Sequence, residues 1–182
     1  MGLIVVERVI DAPVDVVYAA AKDVERFPEV IPDLSEVKVL EREDAPGKVS
    51  RTVSSWRGTL SIAGLINRGI YWKEEDRWDD AARRCEFSLI EGDMKKYDGF
   101  WTFEEVPSGD AEAYATGAEA GATGGEQRKT LVRLTVDFEL GVPMIGPLVV
   151  RLVDKLVKEN CEALLAGLEK LAKEKVGGGH CQ

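Results

Sequence analysis

At 182 residues, 45% of them hydrophobic, the chain is long enough to bury one substantial core and short for two domains. A formal charge of −9 argues against non-specific affinity for nucleic-acid phosphates or anionic membranes, and a small neutral or apolar partner fits better. Cys85, Cys161 and Cys181 are too few and too far apart for a disulfide framework or a CxxC metal site, which favours a reducing compartment.

Leu3 to Ile10 is β-branched and valine-rich and reads as a first strand, without the basic and apolar regions of a leader, so a cytoplasmic location is expected. No stretch approaches the ~20 apolar residues of a membrane span, and no membrane insertion is expected. Asp11 and Pro13 start a helix whose Val14, Val17, Tyr18 and Ala21 share a face; Asp23 opens a second short helix that Pro32 ends. From Ser35 the period changes to two. A strand through Val37 and Val39 turns at Ala45-Pro46-Gly47 and is followed by runs at Val49–Arg57, Thr59–Ile66, Ile70–Trp78, Arg84–Ile90 and Tyr97–Val106. The separators Asn67-Arg68-Gly69, Asp79-Asp80-Ala81-Ala82 and Glu91-Gly92-Asp93 all hold residues that tolerate turn geometry.

Residues 107–128 are half Gly or Ala and lack periodicity, so they are expected to form a flexible insertion in a hairpin. Thr130 to Leu140 alternates cleanly, with Val132, Leu134, Val136 and Phe138 on one face. Gly146 to Lys175 then reads as one helix. Pro147 suits its first position, Gly177 to Gly179 end it, and its apolar stripe runs through Val149, Leu152, Val153, Leu156, Asn160, Leu164, Leu168 and Leu171. At ~1.5 Å per residue it spans ~45 Å. The expected fold is α+β: about seven antiparallel strands curved around the long helix, with two short helices after the first strand. One domain is expected over residues 1–175, with 176–182 a disordered tail. A curved sheet against a straight helix leaves space between them, commonly ~300–1,000 Å³ when it serves a ligand.

In order and spacing, Ile10-Asp11-Ala12-Pro13-Val14-Asp15-Val16-Val17-Tyr18, Asp23-Val24-Glu25-Arg26-Phe27-Pro28, Tyr71-Trp72-Lys73-Glu74-Glu75, Glu91-Gly92-Asp93 and Asp98-Gly99-Phe100-Trp101 resemble the polyketide cyclase/dehydrase branch of the START-like, or SRPBCC, superfamily. The resemblance runs from about Val5 to Leu171 apart from the insertion. It implies the helix-grip fold and a deep apolar cavity, in a family whose members bind lipids, quinones, polyketides or hormones and in some cases cyclise polyketides. Coenzyme-Q-binding relatives share the Gly99, Trp101, Phe103 alternation. No motif matches the polar set of a cyclase.

The only histidine, His180, follows three glycines in the tail, so a Ser-His or Cys-His nucleophile is not expected; neither a metal site nor a cofactor is expected. Trp56, Trp72 and Trp78 suit the lining of a cavity for a ring or chain, with ordinary packing as the plainer reading of each. Trp101, Phe103 and Phe138 belong to strands expected to bound the cavity against the long helix, where Leu156 and Asn160 would face it. Asn160 on an apolar stripe must find a partner, either a buried carbonyl or water or a ligand oxygen. Glu74 shares a strand face with Ile70, Trp72 and Trp78. It is either a cavity carboxyl able to act as acid or base, or a strand-end charge in water. Tyr71, Arg57 and Arg77 are further candidates for proton transfer or for holding an anionic head group. The leading expectation is binding of an apolar or aromatic small molecule. A cyclase/aromatase-type enzyme comes second and a protein-interaction module third.

Overall fold

A computed structural model describes residues 2–45, 49–62, 66–106, 128–140 and 147–178. The expected insertion (to residue 127), the turn at Pro46-Gly47 and the tail beyond 178 lie outside these. In chain order the elements are β1 (Gly2–Ile10), α1 (Val14–Ala21), a 3₁₀ turn (Val24–Arg26), α2 (Phe27–Val30), β2 (Leu34–Glu43), β3 (Val49–Ile62), β4 (Ile66–Asp79), β5 (Arg84–Gly92), β6 (Met94–Val106), β7 (Lys129–Leu140) and α3 (Pro147–Gly178). The strands form one antiparallel sheet in the order β1-β7-β6-β5-β4-β3-β2, so only β1 leaves the meander, closing beside the last strand. This is the helix-grip fold: a seven-stranded curved sheet with a long C-terminal helix on its concave side.

Alternation places the core. In β7, Val132, Leu134, Val136, Phe138 and Leu140 are buried while Arg133, Thr135, Asp137 and Glu139 between them are half-buried. α3 has 32 residues. The C-terminal half of α3 seals the core through Leu165, Leu168, Leu171 and Ala172, all 0–1% exposed, against β1, α1 and α2. Gly167 lets α2 come close, because a methyl there would stand 2.9 Å from Ile31 and 3.0 Å from Val30.

Two expectations need correction. The runs Val49–Arg57 and Thr59–Ile66 are not two strands: β3 continues through Gly58, which pairs with Leu34 and Ile70, and the reversal falls between Ile62 and Ile66. Asn67, Arg68 and Gly69 lie within β4, exposed and opposite Ser61, Leu60 and Thr59. Gly58 marks a close approach, since a side chain there would meet the Asp33 carbonyl at 2.7 Å, while the Thr59 N–H donates to that carbonyl at 2.8 Å. Secondly, the buried stripe of α3 passes through Cys161, and Asn160 is exposed. Leu156, Asn160, Leu164 and Leu168 are each four residues apart, and every such step overshoots a full turn by about 40°. Cys161, Leu165 and Leu168 centre the buried face here, and Asn160 stands about 80–140° from them around the helix.

Candidate functional site

The elements leave a cavity of about 160 Å³ between α3, the middle of the sheet and the short helices. The scale is that at which an apolar cavity admits a single aromatic ring. Its exposed rim consists of Pro32, Asp33, Thr59, Asn160 and Ala163, so it reaches solvent between the α2–β2 loop, β3 and α3.

An aromatic chain lines one side. Phe27 lies 6.1 Å from Trp56, Trp56 stacks on Trp72 at 5.5 Å, Trp72 meets Tyr97 at 5.9 Å, and Tyr97 meets Phe87 at 5.3 Å, between ring centroids. Trp56 and Trp72 are opposite each other in the β3–β4 register, which is what lets their indoles stack. Each indole N–H is held by a residue two away on its own strand face: Trp56 Nε1 donates to Ser54 Oγ at 2.8 Å, and Trp72 Nε1 to Glu74 Oε2 at 2.8 Å.

On β4 the inward alternation runs Ile70, Trp72, Glu74, Asp76, Trp78, and all five line the cavity. It places two carboxyls inside: Glu74 is 6% exposed and Asp76 4%. Among the described residues neither meets a cation; Asp76 Oδ1 accepts only a long 3.7 Å contact from the Cys85 thiol, and Asp76 Oδ2 is buried with no partner. Burial is the main cause that raises the Asp76 pKa to about 7, with the charge of Glu75 adding and the Cys85 contact opposing. Burial also drives Glu74 well above the usual carboxylate range; the Asp76 charge adds to this, and the Trp72 indole opposes it. The pair therefore loses its protons in two steps that belong to both carboxyls together. Around it, burial raises the Tyr97 phenol and the Cys161 thiol, the latter to about 12, so both stay protonated.

The candidates read from sequence divide cleanly. Trp56, Trp72, Trp78, Trp101 and Glu74 line the cavity, and Asn160 stands at its rim. Phe103 and Phe138 do not line it. Phe103 is buried against Tyr18 and stacks on Trp101, and Phe138 packs near Gly2. Leu156 is half-buried core, and Val157, one residue on, faces the space instead. Tyr71 is on the opposite face of β4, with Arg57 stacked over its ring at 5.0 Å. The Arg57 and Arg77 side chains are 61% and 66% exposed, Arg77 donating to Glu75 at 2.9 Å, so neither reaches the interior. Asp76, Tyr97 and Cys161 are the lining polar groups that sequence reading passed over, although Asp76 follows Glu74 on the same alternation. Among the described residues no group of three His, Cys, Asp or Glu could hold a metal ion, and no helix is long and apolar enough to cross a membrane.

With Asn160 exposed, Asn160→Leu should change stability by no more than about 0.5 kcal/mol in urea melts, the usual range for surface sites. A loss of several kcal/mol would place its amide in a buried network.

A curved sheet gripping a C-terminal helix around an aromatic-lined cavity defines a START-like, SRPBCC-type protein. The sequence pattern described as polyketide cyclase / dehydrase and lipid transport matches residues 10–165, and the chain belongs to that family. Among solved structures it is similar to TTHA0849 from Thermus thermophilus, at 33% identity over 96% of this chain and 99% of that one, with a TM-score of 0.73. The fold is also that of the Zhui aromatase/cyclase from Streptomyces sp. R1128, at 18% identity, 96% and 95% coverage and a TM-score of 0.68. A START superfamily protein from Mycobacterium smegmatis matches at 18% identity, 94% and 97% coverage and a TM-score of 0.61. No curated protein sequence matches the chain.

Proposed function

We propose that this protein binds an apolar or aromatic small molecule in the cavity between sheet and helix, as a carrier or store. The observation that carries the reading is the stacked aromatic wall on a space of about 160 Å³ with an opening to solvent. Affinity would come from apolar area removed from water, at ~25 cal/mol per Å², with the few lining polar groups setting orientation. The volume favours a compact ring system over a long acyl chain. Cys85 and Cys161, both free and buried, fit the reducing conditions of a cytoplasmic location.

A second reading, cyclase/aromatase-type chemistry on a bound poly-ketone, is supported by the two enclosed carboxyls and by the fold shared with the Zhui aromatase/cyclase. Glu74, held protonated, would donate a hydrogen bond to a carbonyl or enol oxygen, and Asp76 would take a proton. The interaction-module reading has less support, because the exposed large apolar side chains Leu3, Val5, Leu40, Val49, Ile90 and Val176 come from five different elements.

Native mass spectrometry of the purified protein tests the main reading. The expected result is an adduct of small-molecule mass that organic extraction removes; a ligand-free spectrum together with no uptake of any ring compound would overturn it.

A further inference from the structure

The titratable groups among the residues that line the cavity are all acids. Glu74 and Asp76 come from β4, Tyr97 from β6, Cys161 from α3, and Asp33 from the α2–β2 loop at the rim. The Cys85 thiol of β5 touches Asp76 from beside the cavity. No lysine, arginine or histidine is among the described lining residues. A ligand carboxylate or phosphate would meet no counter-charge here and would face carboxyls that already resist ionisation.

The reverse holds for a cation. Glu74 and Asp76 are two residues apart on one strand face, about 7 Å along β4, and the Asp76 Oδ2 that faces no donor is the atom a ligand donor would complete. Trp72 beside Glu74 and Trp78 beside Asp76 on the same strand face add indole rings to the wall, and aromatic rings attract a cation where they exclude water.

We propose that the cavity selects an organic cation: a protonated amine carried on a compact aromatic body, its ammonium seated at Asp76 and Glu74 and its ring against the tryptophans. This rests on the small-molecule-binding reading and narrows its ligand class. It sets the charge of the ligand, and it excludes fatty acids and other apolar anions that the lipid-transport fold would otherwise admit. Because the ammonium favours the ionised carboxyl, amine binding rises as pH carries Asp76 through its proton loss near 7; a neutral isostere stays level.

The test uses three probes with one aromatic ring, 2-phenylethylamine, 2-phenylethanol and phenylacetate, titrated against the full chain by tryptophan fluorescence and calorimetry. The amine should bind about tenfold tighter than the alcohol at pH 8, as expected for a charge-assisted over a neutral hydrogen bond, and the acetate should not saturate. Between pH 6 and pH 8 the affinity for the amine should rise about tenfold, since that interval spans most of the ionisation of one group. Asp76→Asn should remove both the preference for the amine over the alcohol and its pH dependence, and Glu74→Gln should weaken the preference. If either variant fails to fold, the pH series on the unaltered chain still decides. Acetate binding as tight as the amine, or an amine affinity level across that pH range, would overturn the cation assignment alone. Failure of all three probes would also overturn the cation assignment, and together with a ligand-free native spectrum it would overturn the binding reading as well.

Discussion

Asp76→Asn should leave the protein about as stable as the parent at pH 4 and more stable by on the order of 4 kcal/mol at pH 8. The Asp76 pKa lies near 7 in the folded chain against 3.8 as an ordinary aspartate, chiefly because the carboxyl is enclosed. A folded pKa above the unfolded one means that below pH ~4 both states hold the proton and burial carries no charge cost. Above it the unfolded state releases the proton first, and stability falls until the folded pKa is passed. About three pKa units correspond to the stated ~4 kcal/mol. Glu74 is shifted in the same direction and contributes a parallel fall, so Asp76→Asn removes one proton from the slope and the double variant with Glu74→Gln removes two. Glu36, Glu75, Asp80 and Glu169 have lowered pKa values and lose stability as pH falls, but they are common to both proteins and cancel in the difference. Urea midpoints of parent and variant at pH 4, 6 and 8 measure it. Parallel curves across that range would show that Asp76 ionises in the native state as freely as in water, and the enclosed site would be wrong.

Period-two patterning is enough to read the inward face of β4, because a strand with one buried face fixes alternate residues together: Ile70, Trp72, Glu74 and Trp78 group correctly from spacing alone. Asp76 sits in the same series and escapes notice because an aspartate in an Asp-Arg run looks solvated. What buries it is tertiary: the Cys85 thiol of β5 and its place inside a cavity that other elements wall off. Residue type misleads at Gly58 and at Asn67-Arg68-Gly69, which look like turns but lie in strands. Gly58 answers to a neighbouring carbonyl, and the other three sit at exposed positions where the core imposes no preference. On α3 the error is angular. Sequence spacing locates the amphipathic helix and its approximate ends, but the centre of its buried face is set by the elements packed on it, and Asn160 falls about 80–140° around the helix from Cys161, Leu165 and Leu168. Tyr97 falls at the start of a strand without reading as lining, since its role depends on rings that β4 and β5 bring to it.

Gly99→Ala should cost about 3 kcal/mol or more and disrupt the cavity, although it adds a single methyl group. Gly99 lies in β6 between Phe87 of β5 and Val136 of β7. A Cβ there would stand 2.0 Å from the Thr135 carbonyl oxygen and 2.6 Å from Phe87 Cζ. The carbonyl is backbone within β7 and cannot retreat without disturbing the strand pairing that holds the sheet to β1. The ring can retreat only by leaving Tyr97, with which it packs at 5.3 Å, and moving in the aromatic wall. Overpacking a well-filled site typically costs 1–3 kcal/mol, and strained backbone adds to that. Gly69 provides the contrast. Only the Gly58 carbonyl at 4.0 Å comes near its added methyl, so Gly69→Ala should be neutral or slightly stabilising, by up to about 0.5 kcal/mol from the lower entropy of the unfolded chain. Urea melts of the two variants, with 2-phenylethanol titration of whichever folds, separate the effects. Gly69→Ala should bind the probe as the parent does, and Gly99→Ala should bind it weakly even below its unfolding midpoint, because Phe87 has shifted. If Gly99→Ala instead lost less than about 1 kcal/mol, β6 and β7 would have room to part by an ångström. The close approach of the Thr135 carbonyl and the Phe87 ring would then not be the reason a glycine stands there.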